Sequence, residues 1–402
     1  LVEADGAARK PFKAPAAHEP VIPPSATVVV PVVGADALGL PLTDENVHRA
    51  ELVAALTGLT PGDTVRAVDV ARVVLGTDGG LKGLPPQGVR IFPLINKADT
   101  PEGYLAAMEI AREMYRASRL FRPYDRSEAG PIEGILVGQV ARENPVVHVI
   151  RPPQLIRPPQ LGGGRACRSF PAVISAAVLA AGAARRFGSP KQLFPVGGRP
   201  MLARVLENLV SSEVDEVIVV LGHAWEQVLP VVREAWASGE IAPEARESGE
   251  IAPEARASGE RAAPSVRGGD LPPIWPVLNP DPDRGMSSSV AHALEAADPE
   301  TSGILIALGD LPFIGSEVIN SLVREFRDKR PPITLASVGG RSGHPVIFRR
   351  DLFSELTVLS GDRGARAVID RHRDEVLTVE TGTEAILRDI DTREDLEGKG
   401  DG

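Results

Sequence analysis

The sequence predicts an α/β fold in two domains, and three observations support this. The chain has 402 residues, which is too long for one ordinary hydrophobic core. In both halves, apolar runs of strand length alternate with amphipathic stretches of helical spacing, as in parallel sheets covered by helices. A segment rich in proline and glycine separates the halves. We therefore place domains at 1–145 and 171–397, with a linker at 146–170.

The elements of the first domain follow from its apolar pattern. Runs rich in Val and Ile and bounded by Pro or Gly predict strands, and apolar residues three or four apart predict helices. The predicted strands are 27–33, 89–95 and 134–137, and the predicted helices are 47–56 and 104–118. We expect 134–137 to be the last strand of this domain.

The linker is predicted from a duplication. Residues 150–155 are repeated without change at 156–161, and three glycines follow. Proline-rich sequence is stiff and glycine-rich sequence is flexible, so this composition is typical of a connection between domains.

The second domain has predicted strands at 172–178, 216–221 and 303–308. Between the last two, a charged decamer at 238–247 is nearly copied at 248–257 and then fades. Small, charged, proline-interrupted repeats are poor material for a core. We expect 238–263 to be a surface insertion without a catalytic role.

Composition excludes several classes of protein. The formal charge is −10 and no basic stripe offsets it, so we expect no binding to nucleic acid. The one cysteine, Cys167, excludes a disulfide framework and favours a reducing cytoplasm. No apolar run reaches the length of a membrane span, so we expect no transmembrane helix, and we expect no signal peptide either. The first residues read as the end of a strand, so we expect that the natural N-terminus is missing.

The richest motif is the stretch 179–191, which follows the predicted strand 172–178. Its small residues let the backbone approach a ligand and present N–H groups. Arg186 and Lys191 add positive charge a few residues later. Such a loop after a strand is typical of a site for a nucleoside triphosphate.

Four further segments fit a nucleotide site. Residues 279–289 form a polar turn that enters a helix, where Ser287 and Ser288 can cap the helix and offer hydroxyl groups. Asp310 follows a predicted strand, at the edge where open α/β sheets bind ligands. The remaining two are the pair formed by 342–348 and 359–366, and the segment 389–395, which contains Asp391.

These motifs together resemble the MobA-like nucleotidyltransferases. That family writes Leu-Ala-Ala-Gly, then Ser, Arg, Gly and Lys at the spacing of this loop, although Ala184 stands where the family usually has Ser. Over 171–397 the resemblance is nearest to the molybdenum cofactor cytidylyltransferases, on the segments 361–366 and 389–392. It implies a Rossmann-like domain that transfers CMP from CTP to Mo-molybdopterin.

The resemblance also implies roles for individual residues. Lys191, Arg186 and Asp310 are the implied catalytic residues, and Asp310 and Asp391 are the implied metal ligands. His344, before Pro345, is expected to be structural or to bind the acceptor. The implied nucleotide-binding residues are Leu179, Ala180, Ala181, Gly182, Arg186, Lys191, Asn279, Gly285, Ser287 and Ser288.

The chemistry needs charge neutralisation more than a base. A phosphate oxygen of the acceptor attacks the α-phosphorus and pyrophosphate leaves, and the acceptor is already anionic. The protein must therefore align the groups and offset their repulsion. Residue chemistry alone leaves guanylyl or sugar-phosphate transfer open. A non-enzymatic chaperone that carries the cofactor to a molybdenum hydroxylase is also open.

The first domain has part of a nucleotide switch. Asn96, Lys97 and Asp99 follow a predicted strand in the Asn-Lys-x-Asp pattern, so they are candidate guanine-binding residues. Glu3 and Asp5 are candidates to approach Mg²⁺. The pattern predicts a P-loop-NTPase-like parallel sheet. No G-x-x-x-x-G-K-[ST] loop occurs in the chain, so we expect this fold to be partial.

Three stretches, 3–6, 13–20 and 47–49, resemble the YqeC-type proteins, and the resemblance covers about 1–145. These proteins are named as accessory factors of selenium-dependent hydroxylases. The resemblance implies a role in the maturation of molybdenum hydroxylases, the same process that the second domain indicates.

Overall fold

The structure is a computed structural model that falls into two compact units, Leu1–Gly163 and Gly164–Gly402. It describes residues 3, 6–85, 88–120, 132–140, 145–151, 172–182, 190–240, 271–359 and 365–390. In this described part of the chain, no helix is both long and apolar enough to cross a membrane.

The first unit contains a four-stranded sheet in the order β3-β6-β7-β8 and two small two-stranded sheets, β1-β4 and β2-β5. Its strands are β1 (Phe12–Lys13), β2 (Val28–Val29), β3 (Val32–Gly34), β4 (Val47–His48), β5 (Arg90–Ile91), β6 (Leu94–Asn96), β7 (Ile135–Gly138) and β8 (Val146–Ile150). Its helices are α1 (Ala50–Thr57), α2 (Ala67–Leu75) and α3 (Pro101–Leu120). The first three strands of the main sheet are parallel, as predicted.

Proline divides two of the predicted strands. The run 27–33 forms β2 and β3 with Pro31 between them, and 89–95 forms β5 and β6 around Pro93. Proline has no N–H to donate to a ladder, so each run ends and restarts in a different sheet.

Two boundaries of the first unit differ from the prediction. The predicted helix 47–56 begins only at Ala50, because Val47–His48 forms β4 and Arg49 has a left-handed φ of 62°. The predicted helix 104–118 lies inside the longer α3.

The predicted last strand, β7, is followed by another strand. β8 pairs antiparallel with β7, so the predicted linker begins within the sheet of this unit. The run Val146–Ile150 is apolar except for His148, which is buried, and the adjoining proline repeat obscured this strand in the sequence. The repeats at 152–161 lie outside the described residues.

The second unit contains a seven-stranded sheet in the order β13-β12-β9-β14-β16-β15-β17 and a small β10-β11 hairpin. Its strands are β9 (Ile174–Ala180), β10 (Pro195–Val196), β11 (Arg199–Pro200), β12 (Glu216–Leu221), β13 (Ile274–Leu278), β14 (Gly303–Leu308), β15 (Ile333–Val338), β16 (Arg341–Arg349) and β17 (Val376–Glu380). Its helices are α4 (Met201–Val210), α5 (Trp225–Glu240), α6 (Met286–Ala296), α7 (Ser316–Lys329), α8 (Phe353–Thr357) and α9 (Arg366–Arg371).

The sheet confirms the predicted α/β class. β12 and β14 coincide with the predicted strands, and β9 is shifted by two residues, so that Leu179 and Ala180 end a strand instead of opening a loop. β9, β12 and β14 are almost wholly buried, as expected for parallel strands covered on both faces. β16 is an antiparallel addition between β14 and β15.

The strand order creates a switch point at β9. From β9 the chain builds β12 and then β13 on one side, and it returns to place β14 on the other side. Ligands of open α/β sheets bind outside the carboxyl ends of strands at such a reversal.

The predicted insertion begins later than expected. α5 extends to Glu240, so 238–240 belong to a helix. The rest of the insertion, 241–263, lies outside the described residues.

Candidate functional site

Four parallel strands end at the same edge of the sheet, and predicted site residues follow three of them. Ala181 and Gly182 follow β9, Asn279 follows β13, and Asp310 follows β14. Gly222 follows β12, between them. The carboxyl edge around the switch point is therefore the candidate active site.

Two glycines allow these strand ends to approach closely. A Cβ atom on Gly222 would lie 2.7 Å from both the Cβ and the carbonyl oxygen of Ala181. Gly309 donates its N–H to the Leu179 carbonyl at 3.1 Å. The segment after β9 is therefore held against the turns that follow its two neighbouring strands.

Lys191 and Asp310 form an ion pair at this edge, between Nζ and Oδ2. Their side chains are only 19% and 15% exposed, although 119 positions separate them in the sequence. The other carboxylate oxygen, Oδ1, is buried and has no hydrogen-bond partner in the described structure. The structure thus brings two predicted catalytic residues together. One carboxylate oxygen of Asp310 is left without a hydrogen-bond donor among the described residues.

Glu216 provides a contrast at the opposite end of β12. Its buried carboxylate accepts hydrogen bonds from Ser175 Oγ at 2.6 Å, Trp275 Nε1 at 3.0 Å and the Asp298 N–H at 2.7 Å. These bonds satisfy the carboxylate and connect neighbouring strands, as a structural acid should. Asp310 lacks such a set of donors.

The turn after β13 uses its polar side chains internally. Asn279 Nδ2 donates to Ser288 Oγ at 2.9 Å and Ser289 Oγ at 3.1 Å, and Asn279 Oδ1 accepts from the Asp281 N–H. Asn279 is 1% exposed and Ser287 is 5% exposed. These residues shape the turn that enters α6.

The predicted capping role of Ser287 and Ser288 is wrong. Gly285 is the N-cap of α6, with φ of 90°, and no side chain caps the helix. Ser288 Oγ donates backwards to the Gly285 carbonyl at 2.9 Å instead of accepting from an N–H group. Both serines lie inside the first turn of the helix.

His344 reaches the same edge because β16 runs antiparallel to β14. Burial lowers the pKa of His344 below its ordinary value. A hydrogen bond with the backbone of Ile306 and the charges of Asp310 and Asp389 act on the pKa in the opposite direction. Nδ1 of His344 is buried without a hydrogen-bond partner among the described residues.

The closing segment of the unit reaches this edge as well. Ile390 donates its N–H to the Asp310 carbonyl at 3.3 Å. Asp391, the next residue, lies outside the described residues. The described side chains contain no group of three His, Cys, Asp or Glu residues arranged to hold a metal ion.

Sequence reasoning missed Gln192. Its side chain is 2% exposed, and Nε2 donates to the Ala180 carbonyl at 2.7 Å. Its only signal in the sequence is its place directly after Lys191. Arg186 and the rest of 183–189 lie outside the described residues.

In the first unit, the candidate guanine-binding residues contact protein groups. Asn96 Oδ1 accepts from the Val140 N–H at 3.0 Å, which connects the ends of β6 and β7. Lys97 Nζ lies 2.6 Å from Asp36 Oδ2, and both side chains are 48% exposed. Asp99 is exposed. Of the candidates to approach Mg²⁺, Glu3 is exposed and Asp5 lies outside the described residues.

Two family models match the chain. The model described as MobA-like NTP transferase domain matches residues 176–376, and the model described as YqeC protein matches residues 1–51. The first match covers half of the chain, begins within β9 and contains Lys191 and Asp310.

Curated relatives match each half. The chain is 40% identical over 114 residues to a protein of Escherichia coli (strain K12) named Uncharacterized protein YqeC, covering 28% of this chain and 44% of that one. It is 46% identical over 74 residues to CMP-5'-(3-aminopropyl)phosphonate synthase of Streptomyces rubellomurinus, covering 17% of this chain and 11% of that one. The chain spans less than half the length of the curated relatives it matches.

A solved structure is also similar. The crystal structure of Rv0371c from Mycobacterium tuberculosis H37Rv has 25% sequence identity and a TM-score of 0.41, covering 56% of this chain and 97% of that one.

Proposed function

The chain belongs to the MobA-like NTP transferase family, and we propose that its second unit transfers CMP from CTP to the phosphate of a molybdopterin-type molybdenum cofactor, releasing pyrophosphate. The YqeC match at the start of the chain confirms the other resemblance and makes the chain a fusion of the two. In this proposal the first unit is an accessory domain, and the roles of Asn96, Lys97 and Asp99 in binding guanine stay a prediction.

The observation that carries the proposal is the Lys191–Asp310 pair at the switch point. A cation and a carboxylate with one unsatisfied oxygen lie where an open sheet binds its ligand. By contrast, the buried carboxylate of Glu216 at the opposite end of β12 accepts three hydrogen bonds from protein groups, as expected for a residue with a structural role.

The chemistry suits these groups. A phosphate oxygen of the acceptor attacks the α-phosphorus of the triphosphate, and the bond to the bridging oxygen of pyrophosphate breaks. Lys191 neutralises charge that grows on the leaving group, and Arg186 is proposed to act with it. The N–H groups of Ala181 and Gly182 hold the phosphates at the end of β9.

The residues present fit a divalent cation. Oδ1 of Asp310 is a buried carboxylate oxygen without a partner in the described structure, and hard cations such as Mg²⁺ prefer such oxygens. We propose Asp310 and Asp391 as its ligands. When bound, the cation would offset the negative charge of the two phosphate substrates.

The choice of CTP rests on two supports. The segments 361–366 and 389–392 resemble those of the cytidylyltransferases. A relative matching part of the chain is named a CMP-phosphonate synthase. The molybdopterin acceptor rests on the resemblance of the two halves to one maturation process. We also propose a cytoplasmic location and a molybdenum hydroxylase as the client.

The experiment measures pyrophosphate release by the purified full chain with Mg²⁺, Mo-molybdopterin and each of the four ribonucleoside triphosphates. We expect release with CTP. A preference for GTP would indicate a guanylyltransferase, and activity only with a sugar phosphate as acceptor would indicate that class. No release with any triphosphate and acceptor would favour the cofactor-carrying chaperone.

The matched variants in this assay are Asp310→Asn and Asp351→Asn. The first keeps the size of the side chain but removes the anionic ligand, and we expect it to abolish transfer. Asp351 forms an exposed pair with Arg349, which lies beside the first residue of β14 and so at the edge opposite the candidate site; its variant should retain activity. Near-normal release by Asp310→Asn would contradict the assigned role of Asp310.

A further inference from the structure

Gln192 is a buried polar residue directly behind the end of β9. Its side chain is 2% exposed, and it lies in a short helical turn, Lys191–Leu193, whose first residue is half of the ion pair with Asp310. A glutamine is rarely this buried unless its amide has specific partners.

The amide of Gln192 binds the backbone of Ala180–Gly182, where β9 ends and the proposed nucleotide-binding segment begins. Nε2 donates to the Ala180 carbonyl at 2.7 Å and lies 3.5 Å from the Gly182 carbonyl. Because both neighbours are acceptors, the hydrogen-bond network assigns the nitrogen to this side of the amide.

These bonds fix the orientation of the peptide groups that the proposed function uses. In a trans peptide the C=O and the N–H point in opposite directions. With the Ala180 carbonyl turned towards Gln192, the N–H of Ala181 is directed away from Gln192. The Ala181 carbonyl accepts from the His223 N–H at 3.4 Å, so the N–H of Gly182 is directed away from His223.

The other end of the amide has no partner among the described residues. Oε1 of Gln192 is buried there without a hydrogen bond. The hydrogen bonds that the described residues give this amide are therefore those of its donor end, which holds the segment after β9.

We propose that Gln192 is a positioning residue for the triphosphate. Its amide holds the carbonyls of Ala180 and Gly182 inward, and together with the His223 contact this leaves the N–H groups of Ala181 and Gly182 to face the phosphates. This proposal rests on the proposed function in one respect, which is that the second unit binds a nucleoside triphosphate. It predicts an effect on phosphate binding and none on recognition of the base.

The test compares Gln192→Met and Gln192→Glu with Gln227→Met in the full chain. Methionine keeps the length of the side chain without donors, and glutamate keeps its shape but has no N–H to donate. Gln227 is exposed on α5, so its variant controls for the substitution itself. Calorimetry gives the Kd of CTP and of CMP, and thermal unfolding gives the Tm of each variant.

We expect both Gln192 variants to weaken CTP binding about 10–100-fold, because one strong hydrogen bond and the orientation of several N–H groups are lost. CMP, which lacks the β- and γ-phosphates, should lose less than about 3-fold. Gln227→Met should match the unsubstituted protein for both nucleotides.

Three results would overturn the proposal. They are unchanged CTP binding in both variants, equal losses for CTP and CMP, and a fall in Tm with unchanged Kd in the variants that fold. If the unsubstituted protein binds another triphosphate instead of CTP, that nucleotide and its monophosphate become the probes. In that case the choice of CTP fails while the role of Gln192 is still decided.

Discussion

At the scale of single residues, Lys191 supplies positive charge to the described part of the candidate site. Lys191 is 19% exposed and is held by Asp310, so its position is restricted before any ligand binds. A cation preplaced in this way costs little reorganisation when charge develops on a leaving phosphate. This agrees with a role in transfer and not merely in attracting anions.

We expect Lys191→Ala to lower the rate of pyrophosphate release about 100-fold, since the point charge near the leaving group is lost. Lys329→Ala is the matched control, because Lys329 forms a helical pair with Glu325 on α7. Steady-state release assays on both variants decide the question. A Lys191 variant that keeps its full rate would assign this residue to stability alone.

His372, outside the candidate site, should make the free energy of unfolding depend on pH. Hydrogen bonds to Glu375 and then Glu355 raise the pKa of His372 above its ordinary value. Because the pKa is raised in the folded state, protonated His372 stabilises the protein fully below the unfolded pKa of about 6.5. This stabilisation is lost as the pH rises through the folded pKa. We expect the protein to be more resistant to urea, relative to His372→Asn, at about pH 6 than at about pH 9.

Glu355→Gln tests the cause of this effect. Removing one carboxylate from His372 should shrink the pH-dependent difference, and an NMR titration of the histidine should show its pKa moving back towards the ordinary value. A His372→Asn variant that behaves identically at both pH values would contradict the ion pairs as its source.

At the scale of elements, the site depends on how closely the turns after neighbouring strands approach. Gly222, after β12, leaves no space for a side chain against Ala181. The neighbouring atoms at Ala181 belong to the backbone and to Cβ, so they cannot move aside as a flexible side chain can. The turns after β9 and β12 can therefore lie this close only because residue 222 has no Cβ atom.

We expect Gly222→Ala to destabilise the second unit by about 1–3 kcal/mol, as overpacking does, and to weaken nucleotide binding by displacing Ala181. Gly315→Ala is the control, because a Cβ atom there meets nothing within 4 Å and its backbone is extended, with φ of −71°. Urea unfolding and calorimetry on both variants provide the measurement. Equal stability of the two would show that the turn relaxes without cost.

At the scale of the whole molecule, the repeat-containing segment is predicted to be dispensable. Deleting 241–263 leaves α5 complete to Glu240 and keeps 264–270 to reconnect the chain. We expect Tm to change by less than about 2 °C and transfer to be unaffected, because long surface connections contribute little closure entropy. A glycine–serine replacement of the same length should behave identically. A large fall in Tm for both variants would mean that these residues pack on the unit.

The fold was predictable wherever the pattern is local. β12 and β14 are continuous apolar runs of strand length, and the sequence places both at their observed bounds. The interruptions at Pro31 and Pro93 were also visible in the sequence, but the runs around them were apolar enough to be interpreted as single strands. The strand β8 was missed because its short apolar run adjoins a proline-rich repeat.

The sequence by itself determined which chemical groups are available: a small-residue segment after a strand, Lys191, Asp310 and the polar turn at Asn279. These are readable because each depends on residue type and on distance to the nearest strand end. Only the tertiary structure decided which groups meet. Strand order and the antiparallel direction of β16 bring Lys191, Asp310 and His344 to one edge, and the turn at Lys191–Leu193 buries Gln192 behind Ala180. The physical reason is that a local pattern specifies whether a segment is a strand, whereas packing between segments that are distant in the sequence selects its neighbours in the sheet, as for β9 and β14.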